Sequence, residues 1–272
     1  MLLSSNVTLA AWLKDRRPVV LTGAGLSTES GIPDYRGKGR IGPVRSPIQH
    51  RAFLEDPQMR QRYWARSAVG WPRFSAAAPN AGHHALASLE HAGRIAGIIT
   101  QNVDRLHHAA GSENVIELHG ALATTRCLAC HATEPRAQLQ ERLRAANPSL
   151  VEAAALAPDG DADLPREAIE GFVVPACLAC GGGPLKPDVV FFGDNVPKER
   201  VDRAFALLDA SDALLVVGTS LAVFSGFRFV RRAHERGMPI AIVNDGETRG
   251  DPYATLRIEG RTGEVLSALT RA

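Results

Sequence analysis

Val19-Val20-Leu21-Thr22-Gly23-Ala24-Gly25-Leu26-Ser27 is the stretch that decides the fold. An apolar, β-branched run stops at a tight Gly-x-Gly turn, as a buried parallel strand does when it enters a loop. Glycines at such a turn let the backbone approach a pyrophosphate, and the following amides can bind anionic oxygens. Thr28 stands where the dinucleotide fingerprint has its third glycine, so the turn alone is a weak signal.

Similar apolar runs recur at Ile95–Thr100, Asn114–Leu118, Asp188–Phe192, Ala213–Val217 and Pro239–Val243, with a weaker one, suited to an edge, at Thr255–Ile258. Helical patterns lie between them, at Asn80–Glu90 with Asn80 as N-cap, at Lys198–Leu208 and at Ser225–Gly237. This alternation predicts an α/β protein with a doubly wound, Rossmann-like parallel sheet. Ligands of such sheets bind outside the carboxyl ends of the strands. Thr100-Gln101-Asn102-Val103-Asp104, Gly218-Thr219-Ser220 and Val243-Asn244-Asp245 all stand at those ends. One Asn or Asp closing a strand is an ordinary turn residue. Four such sites along one sheet edge point to a nucleotide.

The chain has four cysteines, and all fall in two Cys-x-x-Cys pairs, Cys127/Cys130 and Cys177/Cys180. Four thiolates in two knuckles match a closed tetrahedral Zn²⁺ site. A redox motif needs only one pair, and without a secretory signal the expected location is cytoplasmic, where disulfides are rare. The expected organisation is a sheet domain in three parts, 1–39, 80–120 and 184–272. A helical insertion over the cofactor site at 40–79 and a zinc-binding subdomain at 121–183 interrupt it.

The first insertion carries Phe53, Tyr63, Trp64, Trp71 and Phe74. The second predicts a helix at Arg136–Ala146, an Ala-rich stretch at Val151–Ala157 and an acidic loop at Asp159–Asp163. Leu164 takes the place of the glycine that a calcium loop requires. With 272 residues, 45% hydrophobic, 22% charged and a formal charge of +2, the composition is that of an ordinary globular protein. It supports neither a membrane span nor direct nucleic-acid binding.

Taken in order, Gly23–Ser27, Gly31-Ile32-Pro33-Asp34-Tyr35-Arg36, Thr100–Asp104, Leu118-His119-Gly120, the paired knuckles, Lys186–Gly193, Gly218–Leu221 and Val243-Asn244 resemble the sirtuin family of NAD-dependent protein deacylases. Gln61–Arg66 with Gly70–Ser75 is similar to the class II branch, which includes a mitochondrial animal member. Tyr35 stands where many sirtuins have Phe.

The resemblance implies NAD as cofactor, one structural zinc, and acylated-lysine proteins as substrates. The implied reaction passes the acyl group from lysine to ADP-ribose and releases nicotinamide. It implies that His119 is the general base, a role that suits a neutral imidazole. Asn102 orients the ribose and a water, and Asp104 grips the nicotinamide carboxamide. The other implied cofactor contacts are Gly23, Ala24, Gly25, Ser27, Thr28, Asp34, Tyr35, Arg36, Gln101, Val103, Gly218, Thr219, Ser220, Asn244, Asp245, Gly246 and Thr262. Val190, Phe191, Phe192 and Gly193, with a loop at Val223, Phe224 and Ser225, are implied to flank an extended peptide.

Among the nine histidines, His83, His84, His107 and His108 are expected on helix surfaces or in packing, with His107 the next base candidate after His119. Protein ADP-ribosyl transfer would use the same activated ribose and stands as the alternative activity. A zinc-ribbon adaptor would need basic knuckles, and only Arg126 is basic there. A dehydrogenase would want the full fingerprint and a later acidic residue, which Ser46–Gln49 does not supply. Tyr63 and Arg66 have the Tyr-x-x-Arg spacing expected for acidic acyl groups, but they lie inside the class II-like segment and are not assigned that role. The acyl chain and the oligomeric state stay open.

Overall fold

The computed structural model describes residues 9–34, 47–149, 164 and 169–270. The chain divides into two units, one made of 1–41, 78–118 and 196–272, the other of 42–77 and 119–195.

In the first unit, β1 (Val19–Thr22), β2 (Gly97–Thr100), β3 (Val115–Glu117), β7 (Leu214–Val217), β8 (Ile240–Asn244) and β9 (Leu256–Glu259) form one sheet. Its order is β3-β2-β1-β7-β8-β9, with every pairing parallel. The weak run near residue 256 is an edge strand, as expected.

Successive residues feed opposite faces, which is the period of a strand. Val19, Leu21, Leu214, Val216, Ile240 and Ile242 pack with Phe229 and Val230 of one helix (Phe224–Glu235) and Leu208 of another (Lys198–Asp209). Val20, Leu215, Val217, Ala241 and Val243 pack instead with Leu86 (helix Ala81–His91) and Leu266 (helix Thr262–Ser267). Each such fully buried aliphatic side chain stabilises the fold by about 1.5–3 kcal/mol. Helix Ala81–His91 begins on a capping box: Asn80 Oδ1 accepts from the amides of Gly82 and His83, and His83 Nδ1 accepts from the Asn80 amide.

In the second unit, β4 (Gly120–Cys127) pairs antiparallel with β5 (Thr133–Pro135) and β6 (Leu185–Val189). This corrects the expectation that Asp188–Phe192 is a buried strand of the parallel sheet. The apolar run is real, but its partner is Gly120–Cys127, a strand whose Gly-Ala-Leu-Ala-Thr-Thr composition gives no clear alternation.

The aromatic insertion forms helices His50–Glu55 and Pro57–Ser75, the second capped by the Asp56 carboxylate accepting from the Gln58 amide at 2.8 Å. Trp64 Nε1 donates to Leu185 O at 2.9 Å. The buried Arg136 guanidinium, on the expected helix Arg136–Ala146, lies over the Trp64 and Trp71 rings at 5.3 and 4.9 Å. Val151–Ala157, the loop Asp159–Asp163, Tyr35 and Arg36 lie outside the described residues.

Candidate functional site

β1 and β7 are neighbours, and the chain winds outward from them in opposite directions, so their carboxyl ends mark the topological switch point of the sheet. Gly23–Ser27 and Gly218–Ser220 leave the sheet there. The Gly25 amide donates to Gly218 O at 2.8 Å. A Cβ on Gly218, whose φ is 62°, would stand 2.4 Å from Leu26 N; one on Gly23 would stand 2.6 Å from Thr219 Cβ. Two turns are in backbone contact, and only glycine permits it. Ala24 and Gly25 are half-buried, Thr28 is exposed, and Thr28 Oγ1 donates to Gly25 O.

The end of β2 is fastened to the same turn. Asn102 Nδ2 donates to Gly23 O at 3.1 Å and to Ser27 Oγ at 3.0 Å. Ser27 Oγ donates to Asp104 Oδ2 at 2.7 Å, and Asp104 Oδ1 accepts from the Leu106 amide at 2.9 Å. Burial raises the Asp104 carboxyl above its ordinary range, against the lowering effect of those donors. Gln101 Nε2 donates to Thr219 Oγ1 at 3.1 Å, and a Cβ on Gly226 would stand 2.4 Å from Gln101 Oε1. Val103 and Asp34 are half-buried nearby in sequence.

At the end of β8, Asn244 Nδ2 donates to Gly246 O at 2.9 Å, while Asp245 is exposed. Arg257 NH1 donates to Asn244 O at 3.2 Å, NH2 reaches Gly246 O, and Nε donates to Asp251 Oδ1 at 3.1 Å. Thr262 is buried and donates to Gly25 O at 3.4 Å. Glycine turn, Asn102–Asp104, Gly218–Ser220, Asn244 and Thr262 thus share one unit and one sheet edge. Phe224 and Ser225, expected in a loop, instead open the helix Phe224–Glu235; Phe224 is exposed and Ser225 buried. Val223, its N-cap, is half-buried.

His107 is 2% exposed, and its Nε2 lies 2.9 Å from Thr22 Oγ1. Burial, with smaller contributions from His83 and His108, holds its pKa well below the ordinary value. A ring so enclosed is poorly placed to collect a proton from a substrate. His83 is fully buried too, while His84 is exposed and His108 pairs with Glu117 at 3.5 Å.

In the second unit, His119 is half-buried and its carbonyl accepts from the Val190 amide at 2.9 Å. Phe191 is buried against Phe53 and Tyr63, with centroids 5.1 and 5.4 Å away, and Gly193 is exposed with φ 81°. Gln49 bridges to Phe192, and the His50 amide donates to Phe192 O at 2.8 Å.

The four cysteine sulfurs lie within 4.8 Å of one another. Cys127–Cys180 and Cys130–Cys177 are each separated by 3.7 Å. A tetrahedron with Zn–S bonds of about 2.3 Å has edges of about 3.8 Å, whereas a disulfide would need about 2.05 Å. The amides of Ala129 and Gly183 donate to Cys127 and Cys180 at 3.4 and 3.3 Å, and a Cβ on Gly183 would stand 2.3 Å from Cys127 Sγ. The donor set and its cradle fit a structural zinc.

The Sir2 family model matches residues 23–225. The chain belongs to the Sir2 family. It is 55% identical over 257 residues to an NAD-dependent protein deacetylase of Xanthomonas campestris, covering 94% of this chain and 87% of that protein. It is 50% identical over 256 residues to the NAD-dependent protein lipoamidase sirtuin-4, mitochondrial, of Bos taurus, covering 92% and 81%. A solved structure of Sir2 with a p53 peptide and NAD+ is similar with a TM-score of 0.78 and 30% identity, over 97% of this chain and 96% of that one.

Sequence reasoning about this Sir2 family chain missed the roles of Thr22, Thr100, Gly226 and Arg257 beside the named site residues; Asn80, read only as an N-cap, also donates to Leu26 O and Ser30 Oγ. Asn80-x-x-His83 was the one available signal, as a capping box. The others depend on partners far away in the chain.

Proposed function

We propose that this chain is an NAD-dependent protein lysine deacylase, with acetyl-lysine as the default substrate. The observation that carries the reading is the switch-point cluster of Gly23, Ser27, Asn102 and Asp104 in a chain 55% identical to a named deacetylase. When bound, NAD supplies the glycosidic carbon from which nicotinamide departs and to which the acyl group passes. The Gly23–Gly25 and Gly218 turns meet in backbone contact at the carboxyl ends of β1 and β7, where sheets of this kind bind a dinucleotide.

In this reading Gly23–Thr28 with Gly218–Ser220 hold the phosphates, and Asn244–Gly246 hold the adenosine ribose under Thr262. Asp34, Tyr35, Arg36, Gln101 and Val103 complete the cofactor contacts. Asn102 orients the reacting ribose and a water; its buried carboxamide is already aimed by two hydrogen bonds, which is orientation obtained before substrate arrives. Asp104 receives the nicotinamide carboxamide. His119 takes a proton from a ribose hydroxyl, since its imidazole is the side chain that accepts protons near neutral pH. The acylated peptide runs extended along Val190–Gly193 and past Val223–Ser225. The cysteines hold zinc with no position left for substrate.

We infer membership of the class II branch from Gln61–Arg66 and Gly70–Ser75; the 49% and 50% identities to the fly and bovine sirtuin-4 proteins support it. We also infer a cytoplasmic location, which suits a cluster of four cysteine thiolates. Incubating the protein with NAD and peptides carrying different acyl groups, read by mass spectrometry, tests the function and ranks the chains. Protein-bound ADP-ribose without deacylated peptide would favour the ADP-ribosyltransferase alternative.

A further inference from the structure

His107 sits in a four-residue helix (Leu106–Ala109) whose start is set by Arg105, with φ 63°, and by Asp104 accepting from the Leu106 amide. Its Nε2 lies 2.9 Å from Thr22 Oγ1, Thr22 Oγ1 donates to Thr100 Oγ1 at 2.9 Å, and the Asn102 amide donates to Thr100 Oγ1 at 3.1 Å. With the Thr22 hydroxyl donating to Thr100, the compatible tautomer of His107 carries its proton on Nε2 and donates to Thr22. Thr22 is followed directly by Gly23, whose carbonyl accepts from the Asn102 carboxamide. Every group on this path is nearly closed to solvent: Thr22 at 0%, Thr100 at 3%, His107 at 2% and Asn102 at 9%.

Behind His107 stands His83, with ring centroids 5.0 Å apart and planes at 63°. His107 Nδ1 and His83 Nε2 are buried without a hydrogen-bond partner. A phenyl ring would fill the place of His107 without a bare nitrogen, and an unpaired buried nitrogen is destabilising. What the phenyl ring would lack is the donor at Nε2. Burial lowers the pKa of this ring, and a neutral imidazole that donates at Nε2 leaves Nδ1 bare.

We propose that His107 is a positioning residue for Asn102, acting through the hydroxyls of Thr22 and Thr100. The inference rests on the reading of Asn102 as the residue that orients the ribose.

The test uses the full chain and the variants His107→Phe, His107→Gln, Thr22→Val and Asn102→Ala, with melting temperature, kcat, and KM for NAD and for acyl peptide measured on each. His107→Phe should lower kcat/KM for NAD about tenfold or more, because small misplacements of an orienting group are costly, while KM for the peptide holds. His107→Gln, which offers a neutral amide donor, should recover a good part of that loss, and Thr22→Val should repeat it. A lowered melting temperature in His107→Phe with unchanged kinetic constants would overturn the proposal and leave only packing. Should His107→Phe fail to fold, Thr22→Val decides: parental kinetics there overturn the proposal equally. If Asn102→Ala keeps parental activity, the reading of Asn102 falls and the relay with it. If that variant is inactive while His107→Phe or Thr22→Val is normal, the relay alone falls.

Discussion

The Ser27 hydroxyl donates to Asp104 Oδ2 across 2.7 Å and thereby joins the glycine turn after β1 to the loop after β2. The other carboxylate oxygen already holds the Leu106 amide. Asp104 is therefore a fastener of the turn as well as the residue we assign to nicotinamide.

Asp104→Asn replaces one acceptor oxygen by a donor, so with Oδ1 kept by the Leu106 amide the Ser27 hydroxyl loses its acceptor. Stability should fall by about 1–3 kcal/mol, the usual result of leaving such a buried group unpaired. Because one pocket serves both, the Kd for NAD and the inhibition constant of free nicotinamide should rise together. An unchanged nicotinamide constant would show that Asp104 acts only as a fastener.

The sulfur geometry predicts about one equivalent of zinc by elemental analysis, bound by four thiolates. Cys177→Ser should lower the melting temperature and activity together, since metal binding at such a site is partly folding energy. Zinc-free protein with full stability would contradict this.

His119→Ala should abolish acyl transfer while NAD binding, measured by calorimetry, stays near the parental value. In the proposed reading the base acts only after the cofactor is bound. His107 is poorly placed to substitute, being 2% exposed and bonded to Thr22. Normal deacylation by this variant would remove His119 from the mechanism.

Burial, with a smaller effect of His84, pushes the His83 pKa down to about 4 from 6.5. The folded value is the lower one, so between the two the unfolded chain binds more protons. Stability is then full above pH 6.5 and is lost as pH falls toward 4. The loss from this residue is on the order of 3 kcal/mol, and His107 shifts the same way. Urea midpoints should therefore fall steadily across that window, and His83→Leu should flatten the slope. A parental slope in His83→Leu would assign the pH dependence to other groups.

The central strands were recoverable from sequence because each is an unbroken apolar run that ends in a turn residue, and burial on both faces needs no partner information to be seen. β4 was not recoverable: Ala121, Ala123, Thr124 and Thr125 are small or polar, and the strand exists through its pairing with residues 185–189, some sixty positions away. The same holds for the glycines. Gly23, Gly25 and Gly218 suggested room for a pyrophosphate, but their nearest constraint is one another, across about 195 residues. The cysteines, by contrast, declared their chemistry through local spacing. His107 hid its role because its partner, Thr22, looks like an ordinary last residue of a strand.

The most direct test of the account is one reaction of an acetyl-lysine peptide with NAD, with all products quantified together by mass spectrometry. The account predicts deacetylated peptide, nicotinamide and O-acetyl-ADP-ribose in equal amounts, and none of the three without NAD. Free acetate with NAD unconsumed, or ADP-ribose attached to protein with the acetyl-lysine intact, would contradict it.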